Sequence, residues 1–368
     1  MPTTSRTSRS KQTVRALLHS PLAQALAWPH GVDRYLEILD PLLAAGETRA
    51  RIVAVQQETA DCRTLVLKPN SRWSGFKPGQ HVQLAVELDG VRRTRCFSLS
   101  SSALRADGCI TLTIKAQADG WVSRHLVHTA QVGDVLILSE ASGEFVLPQT
   151  PPERLLLISG GSGITPVMSM LRSLIDAQHT AEIVFLHYAR TDADAIFAPE
   201  LAAIAAANSN VRVVTSLTQA QGDLSGHFRA EHTASLATDY ADWPVYACGP
   251  APLIEALQTH WQEIGAAENL QVEYFQPPVR KSEAAGGEIR YARSERLSAD
   301  NGDTLLEQAE AAGLNPEYGC RMGICHTCTC KKTAGQVRNV LTGELSADGD
   351  EDIQPCISVP VGDVTLDI

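Results

Sequence analysis

Between residues 50 and 150 apolar and polar positions alternate in short runs. Arg51-Ile52-Val53-Ala54-Val55, Thr64-Leu65-Val66-Leu67, His81-Val82-Gln83-Leu84-Ala85-Val86 and Ile110-Thr111-Leu112-Thr113-Ile114 are rich in β-branched residues. Turn residues punctuate them, at Lys77-Pro78-Gly79 and Asp89-Gly90. Short strands at regular spacing predict an antiparallel β-barrel. From residue 154 the pattern changes. Solid apolar runs at Leu155-Leu156-Leu157-Ile158, Glu182-Ile183-Val184-Phe185-Leu186, Val211-Arg212-Val213-Val214 and Val245-Tyr246-Ala247 alternate with amphipathic stretches at 166–177 and 252–264. That pattern predicts an α/β doubly wound domain. Residues 276–287 mix prolines, charges and glycines, cannot sustain a periodic element, and read as a linker. A strand and a helix then lead to a cysteine-rich loop, and the final strand is Val361–Ile368. Near the start, Val32-Asp33-Arg34-Tyr35-Leu36-Glu37-Ile38-Leu39 has helical periodicity. The chain thus divides into an N-terminal helical extension (1–47), a barrel (48–150), an α/β domain (151–277), a linker (278–287) and a C-terminal α+β domain (288–368).

Composition narrows the function. With 368 residues the chain has room for two or three domains of roughly 100–200 residues. No apolar run approaches the ~18–20 residues of a membrane span. The formal charge of -11 disfavours nucleic acid as a partner. The charge is uneven: Arg6, Arg9, Lys11 and Arg15 begin the chain without an acid, and Asp348, Asp350, Glu351 and Asp352 cluster near its end. The Ser/Arg-rich start has the composition of an organelle transit peptide. The helical periodicity that follows favours instead a disordered bacterial N-terminus leading into a docking helix. Nine cysteines without a signal peptide suit a reducing compartment, where thiols bind metal rather than pair.

Three of those cysteines fall in Tyr318-Gly319-Cys320-Arg321-Met322-Gly323-Ile324-Cys325-His326-Thr327-Cys328, and a fourth in Ile353-Gln354-Pro355-Cys356. C-x4-C-x2-C with a distant fourth cysteine is the spacing of a plant-type [2Fe–2S] centre, a carrier of single electrons. Gly319 and Gly323 let the backbone close around sulfur. A structural zinc site usually presents two short C-x2-C-like pairs, which this three-plus-one pattern does not. Cys320, Cys325, Cys328 and Cys356 are therefore the candidate ligands. Cys330 reads as a spectator, His326 as a surface residue, and Cys62 and Cys109 as packing residues.

Two strings in the barrel are weak alone: Arg95-Cys96-Phe97-Ser98-Leu99-Ser100-Ser101 and Lys115-Ala116-Gln117-Ala118-Asp119-Gly120-Trp121-Val122-Ser123. Together they resemble the flavin-binding pair R-x-[Y/F]-S and G-x-x-S of the ferredoxin–NADP reductase superfamily. The resemblance implies Arg95 on the flavin phosphate, Phe97 stacked on the isoalloxazine and Ser98 near flavin N5. It implies Gly120 and Ser123 at the pyrophosphate, Lys115 as a further cofactor contact, and FAD rather than FMN. Phe97 stands where many relatives have tyrosine, which keeps the stacking face and loses a hydroxyl. In the α/β domain, Ile158-Ser159-Gly160-Gly161-Ser162-Gly163-Ile164-Thr165-Pro166 places a glycine-rich turn between strand and helix, suited to a pyrophosphate. Pro166 departs from a strict G-x-G-x-x-G. The string matches the superfamily's G-G-x-G-I-T-P loop, which implies Gly160, Gly161, Gly163 and Thr165 as nicotinamide-cofactor contacts. Tyr246-Ala247-Cys248-Gly249-Pro250 matches its C-G-P motif, with Cys248 beside the nicotinamide and Gly249 and Pro250 adjoining. Cys248 as a small buried residue stays open. Glu273 and Phe275 resemble by position residues that cap the flavin, with packing as the alternative. Ser98, Cys248 and Glu273 are the catalytic candidates. The strand ending Leu186-His187-Tyr188-Ala189-Arg190 carries an arginine suited to a 2′-phosphate, which favours NADPH; Asp192 and Asp194 keep NADH open.

The order of the three domains resembles flavodoxin/ferredoxin–NADPH reductases with a fused C-terminal ferredoxin domain, over residues 48–368. That implies a β-grasp fold for the last domain. It also implies hydride transfer from NADPH to FAD, then single electrons through [2Fe–2S] to a terminal oxygenase or desaturase. Val32–Leu42 is similar to reductases that serve fatty-acyl desaturases, which implies a diiron, membrane-bound acceptor and a cytoplasmic protein peripheral to the membrane only through that acceptor. Two alternatives stay open: the reductase of an aromatic-ring or diiron hydroxylase, and a cluster-bearing redox sensor or scaffold. The acidic cluster at 348–352 is either a docking face or a solubilising loop.

Overall fold

The computed structural model describes residue 25 and residues 32–43, 46–88, 91–118, 120–275, 286–321, 323 and 325–368. The basic N-terminus, the Asp89-Gly90 turn and linker residues 276–285 lie outside the described residues.

Helix α1 (Val32–Leu39) is tied to the first sheet by ion pairs. Arg49 Nη2 lies 2.6 Å from Glu37 Oε1, and Arg51 Nη2 lies 2.6 Å from Asp40 Oδ1. That sheet contains β1 (Thr48–Thr59), β2 (Cys62–Pro69), β3 (His81–Leu88), β4 (Val91–Ser98), β5 (Ile110–Lys115) and β6 (Val135–Leu138). Its six strands run antiparallel in the order β4-β3-β6-β1-β2-β5. A bridge from Leu99, just past β4, to Leu112 of β5 joins the two edges into the expected barrel. Every second residue points inward, so Ile52, Leu65, Leu67, Val82, Leu84, Leu112 and Ile114 fill the interior. Helix α2 (Trp121–His128) covers it with Val122, Leu126 and Val127.

The second sheet is parallel. Its elements are β7 (Arg154–Gly160), α3 (Ile164–Asp176), β8 (Glu182–Ala189), α4 (Ala198–Ala207), β9 (Val211–Leu217), β10 (Leu224–Ser225), α5 (Ala230–Ala234), β11 (Val245–Gly249), α6 (Ala251–Glu263) and β12 (Leu270–Tyr274). Leu155, Leu157, Ile183 and Phe185 enter one apolar cluster with α3; Leu156, Ile158, Val184 and Leu186 enter another with α6. Both faces of β7 and β8 are buried, which is why residues 155–158 and 183–186 are unbroken apolar runs. The order β10-β9-β8-β7-β11-β12 means that the chain leaves β7 toward β8 and returns on its other side at β11. The loops after β7 and β11 therefore face each other at a topological switch point, the usual ligand crevice of such sheets. Helix α3 also holds the barrel: Ser169 Oγ donates to Ser101 O at 2.8 Å and Arg172 Nη1 to Ser100 O at 2.5 Å.

The third sheet is mixed, with β13 (Glu288–Tyr291), β14 (Arg296–Ala299), α7 (Leu305–Ala311), β15 (Cys330–Asn339), β16 (Glu351–Ile353) and β17 (Ser358–Leu366) in the order β14-β13-β17-β15-β16. Sequence alone suggested one strand before the helix. The structure has a hairpin, because Arg296-Leu297-Ser298-Ala299 is a short, largely exposed edge with no apolar alternation to betray it. Thr304 and Glu307 form a capping box that starts α7. Lys332 of β15 is fully buried, and its ammonium donates to Ala347 O at 2.9 Å and Gly349 O at 2.5 Å. No helix among the described residues is long and apolar enough to cross a membrane.

The switch point leaves no room for a side chain at Gly163. A Cβ there would lie 2.3 Å from the carbonyl oxygen of Cys248 and 2.6 Å from Gly249 Cα, so backbone opposes backbone. Gly163→Ala should cost about 1–3 kcal/mol, the usual penalty of overpacking. A denaturant midpoint equal to that of the parent protein would show that the two loops part freely.

Candidate functional site

The predicted ligand loop brings its thiols together in two pairs. The amide of Cys320 donates to Cys325 Sγ at 3.1 Å, and the amide of Cys325 to Cys320 Sγ at 3.4 Å. Cys328 Sγ lies 3.3 Å from Cys356 Sγ, and both residues are buried. The loop can close this tightly because Gly319 lacks a Cβ, which would fall 2.8 Å from Cys325 Sγ. Gly323 adopts φ +77°, and Gln354 Nε2 donates to its carbonyl at 2.8 Å, tying the fourth-cysteine segment to the loop. Met322 and Ile324 lie outside the described residues. Hydrogen bonding from Cys320 and Cys96 holds the Cys325 thiol well below the usual range, and hydrogen bonding from Cys356 lowers Cys328 to about 7. Four soft sulfurs in two pairs, with amides aimed at sulfur, suit a [2Fe–2S] centre that needs two thiolates per iron.

The remaining cysteines divide. Cys330 sits in β15 opposite Ile353, and burial pushes its thiol up to about 12. Cys62 packs in the core shared by the barrel and α3. Cys109 departs from the expectation of a packing residue. It precedes β5, half-exposed, with its amide bonded to Asp107 Oδ1 at 2.9 Å, because the Asp107 turn ends before the strand begins. His326 is exposed.

On the barrel, Phe97 lies opposite Val82 and packs, half-buried, against the barrel core. Ser98 is buried opposite His81. Gly120 starts α2 without a side-chain cap; a Cβ there would meet Ser123 Oγ at 2.3 Å. Ser123 Oγ accepts from Gln117 N at 3.1 Å and donates to Gly120 O at 3.2 Å. Lys115 Nζ is engaged by Asp61 Oδ1 at 2.6 Å. The Arg95 guanidinium lies 5.4 Å from the ring centre of Tyr318, so it reaches the cysteine domain. Arg93, which the motif did not single out, lies 5.0 Å over the Trp121 ring at the start of α2, and its buried Nε has no partner. An orphaned guanidinium nitrogen beside an uncapped helix N-terminus suits an anionic phosphate, so this face fits FAD. No sequence signal marked Arg93, because its value depends on Trp121, which is distant along the chain.

At the switch point, a Cβ on Gly160 would meet Leu253 Cδ2 at 2.8 Å and Pro250 Cδ at 2.9 Å. Gly161 has φ +53° with open space beside it, and Thr165 Oγ1 donates to Ser162 O at 3.1 Å. Side-chain-free backbone at a strand–helix turn suits a nucleotide pyrophosphate. Gly249 and Pro250 lead from β11 into α6. Cys248 and Glu273 are register neighbours on β11 and β12, with Sγ 3.9 Å from Oε2. Burial pushes the Cys248 thiol well up and raises Glu273 from 4.5 to about 8, so burial favours the neutral form of both. Phe275 packs, partly buried, on the core beside α3. Arg190 Nη2 is paired with Asp194 Oδ1 at 2.5 Å, and Thr191 Oγ1 donates to Asp194 Oδ2 at 2.8 Å.

Comparison with known proteins agrees with this arrangement. Residues 49–147 match the oxidoreductase FAD-binding domain, 157–259 the oxidoreductase NAD-binding domain and 291–361 the 2Fe-2S iron-sulfur cluster binding domain. An NADPH oxidoreductase of Mycobacterium tuberculosis is 36% identical over 94% of this chain and 91% of its own. The chain belongs to the ferredoxin–NAD(P)H reductase superfamily, in its form with a C-terminal [2Fe–2S] domain. The glycine betaine monooxygenase reductase subunit of Pseudomonas aeruginosa is 31% identical over 88% of this reductase and 96% of its own length. The solved structure of phthalate dioxygenase reductase shares the fold, with TM-score 0.55 and 20% identity over 89% of this chain and 99% of that one. The reductase is an oxidoreductase that uses FAD, NAD(P)H and [2Fe–2S].

Glu273 yields a pH signature. Its folded pKa is raised, so its stabilising contribution is full below pH 4.5 and is lost as pH rises through about 8. Glu273→Gln stays neutral throughout. The melting temperature of the variant relative to the parent should rise between roughly pH 5 and 9, the window that brackets the shift. A constant difference would mean that Glu273 is already ionised in the fold.

Proposed function

We propose that this reductase uses NADPH to supply single electrons to a terminal oxygenase. One observation carries the reading: the cysteine loop lies against the flavin strand of the same chain. Gln83 Nε2 of β3 donates to Cys325 O at 3.3 Å, and Cys96, beside Phe97, approaches the thiols of Cys320 and Cys325. An internal relay of this kind serves turnover more directly than it serves a sensor or scaffold. Arg93, Gly120 and Ser123 would hold the FAD phosphates, with Phe97 and Ser98 at the ring. Gly160, Gly161, Gly163 and Thr165 would hold the nicotinamide coenzyme, with Gly249 and Pro250 lining the facing loop. Cys248 and Glu273, both neutral, would border the nicotinamide without imposing charge on it. Cys320, Cys325, Cys328 and Cys356 would hold the cluster. Bound there, these groups supply hydride acceptance and its conversion into single electrons.

Several relatives are named as reductase components of monooxygenases that act on glycine betaine or 3-ketosteroids, which supports an oxygenase as acceptor. A desaturase is the second reading. It is favoured by the segment around α1, whose Tyr35, Ile38 and Leu39 are exposed apolar residues on the surface. Anaerobic NADPH should bleach the flavin and develop the rhombic signal of a reduced [2Fe–2S] centre, and reconstitution with each acceptor class would separate the two readings. Zinc without iron in anaerobically purified protein would refute the cluster.

Cys325→Ser should lose the cluster, because a hard hydroxyl poorly replaces a thiolate. Ferricyanide reduction through the flavin should persist while cytochrome c reduction collapses. Equal loss of both in a folded, FAD-loaded variant would show that the proposed electron order is wrong.

Arg190 would bind the 2′-phosphate in competition with Asp194. Arg190→Ala should weaken NADPH about tenfold, a loss of about 1.4 kcal/mol, and leave NADH nearly unchanged. Asp194→Asn should shift preference further toward NADPH. Parallel loss of both coenzymes in Arg190→Ala would place the arginine at the pyrophosphate or in the fold.

A further inference from the structure

The motif assigns four thiols to the cluster and leaves Cys96 without a role. Yet the sulfurs of Cys96, Cys320 and Cys325 all lie within 4.8 Å of one another. Cys96 comes from β4, in the barrel, and the other two from the ligand loop. Its cross-strand neighbour is Gln83, which donates to Cys325 O at 3.3 Å. A third contact flanks them. Tyr318 lies between two guanidinium groups, Arg95 at 5.4 Å and Arg321 at 3.8 Å from the ring centre. Arg321 Nη1 is held in turn by Glu310 Oε2 at 2.9 Å. The barrel therefore meets the ligand loop through a thiol, an amide and a cation–π contact, and the Cys96 sulfur lies within 4.8 Å of both sulfurs of the ligand pair.

An iron that already takes two thiolates and two bridging sulfides has no place for a third protein sulfur. What a neutral thiol can give there is an S–H donor. A hydrogen bond to a ligand sulfur favours the more negative, reduced cluster and so raises its reduction potential. We propose that Cys96 is a positioning residue for the cluster: its thiol donates to the Cys320–Cys325 sulfur pair, seats the ligand loop on the flavin strand and raises the potential of the iron held there. The inference rests on those four cysteines being the cluster ligands. No covalent bond changes and no proton leaves Cys96. The device makes the cluster a better acceptor for electrons arriving along the same strand.

The test is a redox titration of the intact, cofactor-loaded protein, followed by paramagnetic resonance of the cluster, in the parent, Cys96→Ala and Cys96→Ser. Loss of one net hydrogen bond should lower the reduced-to-oxidised ratio at the parent's midpoint potential about three- to tenfold in Cys96→Ala. The cluster g values should shift as well. Cys96→Ser keeps a donor and should recover part of the change in both readouts. Unchanged potential and g values in both variants would overturn the role of Cys96. Loss of iron from folded Cys96→Ala and from Cys96→Ser alike would also overturn it, because a hydrogen-bond donor is not what keeps iron on four thiolates. A parent protein with no [2Fe–2S] signal would instead sink the ligand assignment on which the inference rests.

Discussion

Successive side chains of a β-strand must leave opposite faces, and β4 depends on that constraint to serve two neighbours. Phe97 turns to the barrel core with Val82. Cys96, one residue earlier, meets the ligand loop with Gln83. A one-residue slip of β4 against β3 would exchange these faces and bury the cysteine where the ring belongs. The register is held by the apolar interior of the barrel, so packing far from any cofactor fixes which side chain meets which site.

The same economy governs the nicotinamide side. Two loops at the switch point meet so closely that Gly160, Gly163 and Gly249 have no space for a Cβ. Beneath them, Cys248 and Glu273 are buried, and burial favours the neutral form of both. On the proposed reading, a site built from backbone and largely neutral side chains would leave the charge of the coenzyme to be met at Arg190, which pairs with Asp194.

Much of this was legible in the chain. The barrel strands and the apolar runs of the parallel sheet declared themselves through periods that burial imposes on one face or two. The cysteine spacing marked a loop whose thiols do converge in pairs. What stayed hidden depends on contacts between distant segments. Arg95 reads as a phosphate ligand in its string, and nothing in that string shows that its guanidinium also lies 5.4 Å from the ring centre of Tyr318. Arg93 carried no motif, yet its buried Nε is the orphaned one. The β14 edge was silent because an exposed strand need not alternate. Cys96 was visible as a letter, and nothing in a linear pattern says what covers the outer face of a barrel strand.

Lys332 has a consequence for the acidic loop of the third sheet. Its sealed ammonium binds the carbonyls of Ala347 and Gly349, and Glu351 Oε2 accepts from the amide of Ala347 at 2.8 Å. Opening this loop would cost the ammonium both carbonyl partners, which ties residues 347–349 to β15. Two of the acids at 348–352 are held on that loop as well: Asp350 Oδ2 lies 2.8 Å from Lys331 Nζ, and Glu351 is engaged by the Ala347 amide. Were a protein to dock there, little association energy would go into freezing the backbone.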